Sequence, residues 1–78
     1  MTKPTHVNGH EIVLRRDTPT TKATRPGEVI LVKRVHQHEP WVTAWRAENQ
    51  TDGWWHGHYF ADEELAKQDF FFRARRGY

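Results

Sequence analysis

Apolar positions recur along this chain first at a spacing of two and then, beyond residue 61, at a helical spacing. "HEIVLRR" (10–16) alternates apolar and polar side chains, the pattern of a short half-buried strand. "DTPTTKATRPG" (17–27) is polar, carries two Pro and ends on Gly, and is expected to form a long mobile loop. Such a loop is large for so short a chain, and residues 1–9 are expected to be flexible, which would leave the first strand a loosely attached arm. "EVILVKRVH" (28–36) is rich in β-branched residues and predicts the clearest strand. Pro40 breaks it, because proline cannot donate to a ladder. "WVTAWRAE" (41–48) predicts the next strand, "NQTDG" a turn, and "WWHGHYF" (54–60) the strand after it, so 28–60 forms a three-stranded meander.

The period then changes. Asp62 is a suitable helix N-cap, Glu63 and Glu64 sit where a helix's positive end favours acids, and Arg73, Arg75 and Arg76 sit near its negative end. Gly77 is a stop signal. A helix over 62–75 places Leu65, Ala66, Phe70 and Phe72 on one broad side, interrupted by Asp69 and Arg73. The alternative for "DFFFRAR" is a final strand. The expected fold is α+β: an antiparallel sheet of three to four strands packed against one C-terminal helix, in a single domain.

Period-two geometry then sorts the side chains into faces. Pairing Val35 with Trp41 brings Val29 and Leu31 onto one face with Trp41, Thr43 and Trp45, and that face is taken as the one beneath the helix. Pairing Trp45 with Trp55 extends it into a core of Trp41, Trp45, Trp55 and Tyr59, with Gly57 making room. The competing register, Trp45 with His56, would bury two imidazoles without specified partners, which is costly. The second face then carries Ile30, Val32, Arg34, Val42, Ala44, Arg46, Trp54, His56 and His58. It is too apolar to stay wet, so the N-terminal strand, a second copy of the chain or a partner should cover it.

Composition narrows the chemistry. Seventy-eight residues make one small domain with a marginal core, and without Cys no disulfide or thiolate site can brace it. Four Trp, two Tyr and four Phe supply the large side chains instead. The chain lacks Ser as well as Cys, which removes the usual acyl-transfer nucleophiles. Its five Gly form neither a phosphate loop nor a dinucleotide fingerprint, so no enzyme and no cofactor is expected. Twelve basic and ten acidic residues give a mixed surface of net charge +2. No apolar run suits a secretory leader or a membrane span, and a cytoplasmic protein is expected.

Three constellations remain. His36 and His38, like His56 and His58, are spaced H-x-H, so on a strand each pair projects to one side and could hold Zn²⁺ with Glu39. A turn and a half-exposed sheet face explain both pairs more simply, and no metal is expected. Asp62, Glu63 and Glu64 could be offered as acid and base but are better explained by capping. Arg interleaved with aromatics suits two kinds of partner. On the second face Arg34, Arg46, Trp54, His56 and His58 are the expected anchors for a protein, with Arg46 over Trp54 as a cation–π pair. Alternatively the same face binds single-stranded nucleic acid, with Arg73, Arg75 and Arg76 meeting phosphates.

The run from "VKRVH" through "DFFFR" resembles small proteins of undefined activity encoded by bacteriophages of actinobacteria. Those share a V-x-W strand, then G-x-YF (here 57–60), an acidic residue, and a helix of the type E-A-x-x-D-F-x-x-R. This chain has Leu65-Ala66 where the pattern has Glu-Ala. The resemblance implies a phage accessory protein acting in the cytoplasm of an infected cell and carries no functional residue across. Together these features predict a non-enzymatic interaction module whose partner is a host or phage protein, or a second copy of itself as a homodimer.

Overall fold

The computed structural model describes residues 5–18, 26–35, 38–47, 50 and 53–77. Among them are five strands, β1 (His6–Val7), β2 (His10–Thr18), β3 (Gly27–Lys33), β4 (Trp41–Ala47) and β5 (Trp55–Phe60), followed by one helix, α1 (Glu63–Arg76). The strands lie side by side in sequence order, each antiparallel to the next. The α+β meander is therefore as expected, with five strands rather than three or four.

The additional strand comes from the amino terminus. Asn8 and Gly9 both adopt left-handed backbone, at φ 51° and 79°, which is the combination a two-residue hairpin turn needs to match strand twist. The turn returns the chain onto β2, pairing Val7 with His10, and Val7 is buried. Residues 5–9, expected to be flexible, thus belong to the fold. The strands also reach into the segment expected to be a loop: β2 continues to Thr18, which pairs with Gly27 at the start of β3. Residues 19–25 lie outside the described residues.

Two bulges decide which side chains face which way. In β2, Ile12 pairs with Val32 but Leu14 pairs with Leu31, leaving Val13 extra. That one residue sends Ile12 and Leu14 to opposite faces. In β5 the extra residue falls between Trp55, opposite Trp45, and His58, opposite Thr43. His56 sits there with φ 54°. The expected Trp45–Trp55 pairing is present, but beyond the bulge the alternation is reversed. His58 and Phe60 share the helix side with Trp55, and Tyr59, expected in that core, lies opposite Val42 on the other face. Between β3 and β4 the partner of Trp41 is Lys33, not Val35, which is fully exposed. The difference is two residues, so every side chain keeps its expected face.

The sheet has a core on each side. Beneath the helix, Val29, Leu31, Ala66 and Phe70 are buried, with Leu14, Trp41, Trp45 and Phe60 packed around them. On the second face Val7, Ile30, Val32, Val42 and Ala44 are buried, with Ile12 and Trp54 against them. The N-terminal strand, one of the expected covers for that face, contributes Val7 to it.

The helix is capped as its sequence predicts. Asp62 Oδ1 accepts from the backbone N–H groups of Glu64 and Leu65, at 2.8 and 3.1 Å. Gly77 closes the other end at φ 94°, its N–H donating to the Arg73 carbonyl. The helix runs through Arg76, so the strand alternative for "DFFFRAR" does not occur. Its buried stripe, however, is Ala66, Phe70 and Arg73, while Leu65 and Phe72 are exposed. Apolarity alone put the buried side too far round the wheel, because Asp69 and Arg73 find polar partners on the sheet.

Candidate functional site

The anchors expected on the second face have separate fates. Arg46 is buried at 2% exposure. Its Nε donates to the Gly53 carbonyl at 3.1 Å and its Nη2 to the Gln50 carbonyl at 2.9 Å. Gln50 Oε1 in turn accepts from the Ala47 N–H. Register also sets Arg46 opposite Glu28, whose carboxylate is held by both Nε and Nη2 of Arg15. The guanidinium thus fastens the β4–β5 connection from inside and is not presented to a partner. The expected stacking of Arg46 on Trp54 gives way to these carbonyls.

Arg34 and Trp54 are brought together through Tyr59. The Arg34 guanidinium lies 4.7 Å from the Tyr59 ring centroid, and Trp54 Nε1 is 3.4 Å from the Tyr59 hydroxyl. Arg34 also donates from Nε to the Glu39 carbonyl. A Cβ on Gly57 would come within 2.8 Å of the Tyr59 hydroxyl and 3.0 Å of Trp54 Nε1, so glycine makes room for this pair rather than for the helix-side core. Trp54 is half-buried against the second core, with the His10 ring 6.5 Å away. His56 is exposed on the bulge.

His58 is on the helix side, where it joins a polar network across the helix–sheet boundary. Its Nδ1 lies 2.9 Å from Asp69 Oδ2, which also accepts from the Thr43 hydroxyl at 2.5 Å. Arg73 Nη1 donates to the Thr43 carbonyl at 2.9 Å and to its Oγ1 at 3.2 Å. Thr43 and Arg73 are both buried. Burial pushes the Arg73 pKa below the ordinary guanidinium value, nearby Arg76 adds to this, and Asp69 opposes it. Arg73, proposed from sequence as a phosphate ligand, is therefore committed to the helix–sheet joint. Arg75 and Arg76 remain exposed, with Arg76 5.3 Å from the centroid of the Phe72 ring.

The exposed apolar side chains define a different surface. Trp55 is 58% exposed, Phe72 60% and Leu65 54%. Trp55 is on the helix side but uncovered, because α1 packs mainly over β3 and β4 while β5 is the last strand of the sheet. Leu65, Asp69, Phe72 and Arg76 succeed one another at spacings of four, three and four, which is one stripe of a helix. Asp69 reaches His58 on β5, so the stripe flanks β5. Among the described residues no strand pairs with the outer edge of β5. An open strand edge bearing Trp55 and flanked by Leu65 and Phe72 thus gathers the three most exposed large apolar side chains outside Val35 among the described residues. Sequence reasoning missed it by assigning Trp55, Leu65 and Phe72 to the core.

Among the described residues no three of His, Asp and Glu converge as a metal site, and His36 lies outside them. No described helix is long and apolar enough to cross a membrane. No protein-family model matches the chain, and neither a curated protein nor a solved structure shows significant similarity to it.

Proposed function

We propose that this chain is a non-enzymatic binding module whose partner is a protein, engaged through the open β5 edge and the adjoining flank of α1. The observation that carries the reading is the exposure of Trp55 and Phe72 on a fold whose two cores are otherwise closed. Aromatic anchors beside an arginine are the residues in which protein interfaces concentrate their energy, and an open strand edge offers a row of backbone donors and acceptors to an incoming strand. Two acidic groups have structural partners: Asp62 caps the helix, and Asp69 bonds to both His58 and Thr43. The setting we propose, from the resemblance in 57–60 and 69–73, is a phage accessory protein in the cytoplasm of an infected cell.

A second reading keeps single-stranded nucleic acid as the ligand. It is favoured by exposed Arg75 and Arg76 beside Phe72, cations next to a stacking ring. Photo-crosslinking separates the two. With benzoylphenylalanine replacing Trp55 in one variant and Val13 in another, position 55 should yield protease-sensitive adducts and position 13 few. Nuclease-sensitive adducts, weakened by Arg75→Ala/Arg76→Ala, would establish the second reading. Equal labelling from both positions would contradict a β5 surface altogether.

A further inference from the structure

Two stretches of edge among the described residues, the part of β2 beyond β1 and the whole of β5, differ in charge. Beyond residues 10–12, which bond to Thr5, His6 and Val7, β2 runs Val13, Leu14, Arg15, Arg16, Asp17 and Thr18, three of them charged. Charged side chains of this kind are how proteins keep strand edges from pairing with one another. β5, in contrast, reads Trp, His, Gly, His, Tyr, Phe, with no Lys, Arg, Asp or Glu. From this contrast we infer that β5 pairs with β5 of a second copy of this chain, forming a two-fold symmetric dimer with a continuous sheet. The inference rests on the β5 surface proposed above and names its occupant.

Self-pairing suits this strand for three reasons. An antiparallel two-fold contact sets each residue against a residue of the same strand, so a charged edge would meet its own sign, whereas β5 meets only neutral or aromatic groups and imidazoles. The bulge at His56 leaves residues 57–60 as the regular stretch, and a two-fold axis at His58 or Tyr59 pairs residues within it, 57 with 59 or 58 with 60. The third reason is the placement of the helix. With α1 above β3 and β4, and strands spaced about 4.8 Å apart, the two helices would run roughly 19 Å apart on the same side of the joined sheet. Helices are about 10–12 Å wide with side chains, which leaves a cleft of roughly 8 Å. Trp55 and His58 of both copies would form its floor, and Leu65 and Phe72 its walls. Three of those four residues are large apolar groups that a monomer leaves in water.

Sedimentation equilibrium of the full chain over a range of concentrations, with amide hydrogen exchange on the same samples, tests the inference. The weight-average mass should climb from one chain towards two, and exchange along 57–60 should slow as concentration rises while β2 residues 15–17 show no such dependence. Trp55→Lys, on the floor beside the joined edge, should weaken dimerisation about thirtyfold or more, the loss expected for an interface anchor, and Phe72→Lys, on a wall that does not reach across the cleft, by less; both positions are exposed, so the folded chain should persist. A single-chain mass at every concentration with unchanging β5 exchange would overturn the inference. So would a dimer that survives both substitutions, which would use another surface, or a foreign strand captured on β5 by a chain that is otherwise monomeric. The binding-surface reading stands or falls separately, on whether position 55 crosslinks to any protein, a second copy of this chain included.

Discussion

Arg46 and Arg73 are among the largest fully buried side chains in the molecule, and each has been turned from a binding residue into a fastener by its partners. Charge and spacing in the sequence mark both as surface cations, since arginine is rarely fully buried. What overrides that prior is the supply of acceptors: two connection carbonyls for Arg46, and the Thr43 carbonyl and hydroxyl for Arg73. Removing Arg73 would also leave Asp69 without its compensating charge. Arg73→Ala is expected to cost about 3 kcal/mol, in the range for breaking a buried charged network, with urea denaturation as the measurement. Arg46→Ala should cost about 2 kcal/mol, by the lost charged hydrogen bonds. At Gly27 the requirement is steric. A Cβ there would overlap the Arg46 carbonyl and the Trp45 ring, so Gly27→Ala should lower stability by roughly 1–3 kcal/mol despite being a minimal change.

At the scale of elements, β3, β4, β5 and the helix were legible because their signals are local. The apolar run at 29–32 (rich in β-branched residues), Pro40, the Asp62 cap and the Gly77 stop each act within a few residues. The amino-terminal hairpin was missed, although "VNGHE" carries its signal: Asn-Gly between two chain segments is a strong short-range turn signal, here obscured by polar flanks. The turn's importance can be measured. Asn8→Ala should cost about 1 kcal/mol, because alanine lacks asparagine's tolerance for left-handed backbone, and amide protection at Val7 should fall with it. Asp62→Ala should cost about 1 kcal/mol by releasing two helix N–H groups. The bulges at Val13 and His56 were not legible. No composition rule distinguishes "EIVLR" with a bulge from "EIVLR" without one. The β2 bulge shows itself only in tertiary packing, with Leu14 reaching the helix-side core while Ile12 reaches the other. One such residue in β5 moved Tyr59 and His58 to faces opposite those expected.

For the whole molecule, the apolarity of both sheet faces was legible, and it correctly implied that the second face must be covered. Which face of the β5 end would remain open was not, because that depends on the lateral position of the helix, set by Asp69, Arg73 and Thr43 as much as by Phe70. The chain divides two adjacent residues between different surroundings: Trp54 belongs to the second core, and Trp55 to the free surface. Thermal unfolding of Trp54→Ala and Trp55→Ala, recorded side by side at low protein concentration, tests that division most directly. Trp54→Ala should lose about 2 kcal/mol, lowering the melting temperature by roughly 8–16 °C for a domain of this size. Trp55→Ala should stay within a degree or two of the parent. A large fall for Trp55→Ala with little change for Trp54→Ala would place Trp55 in the core and contradict the proposed binding surface.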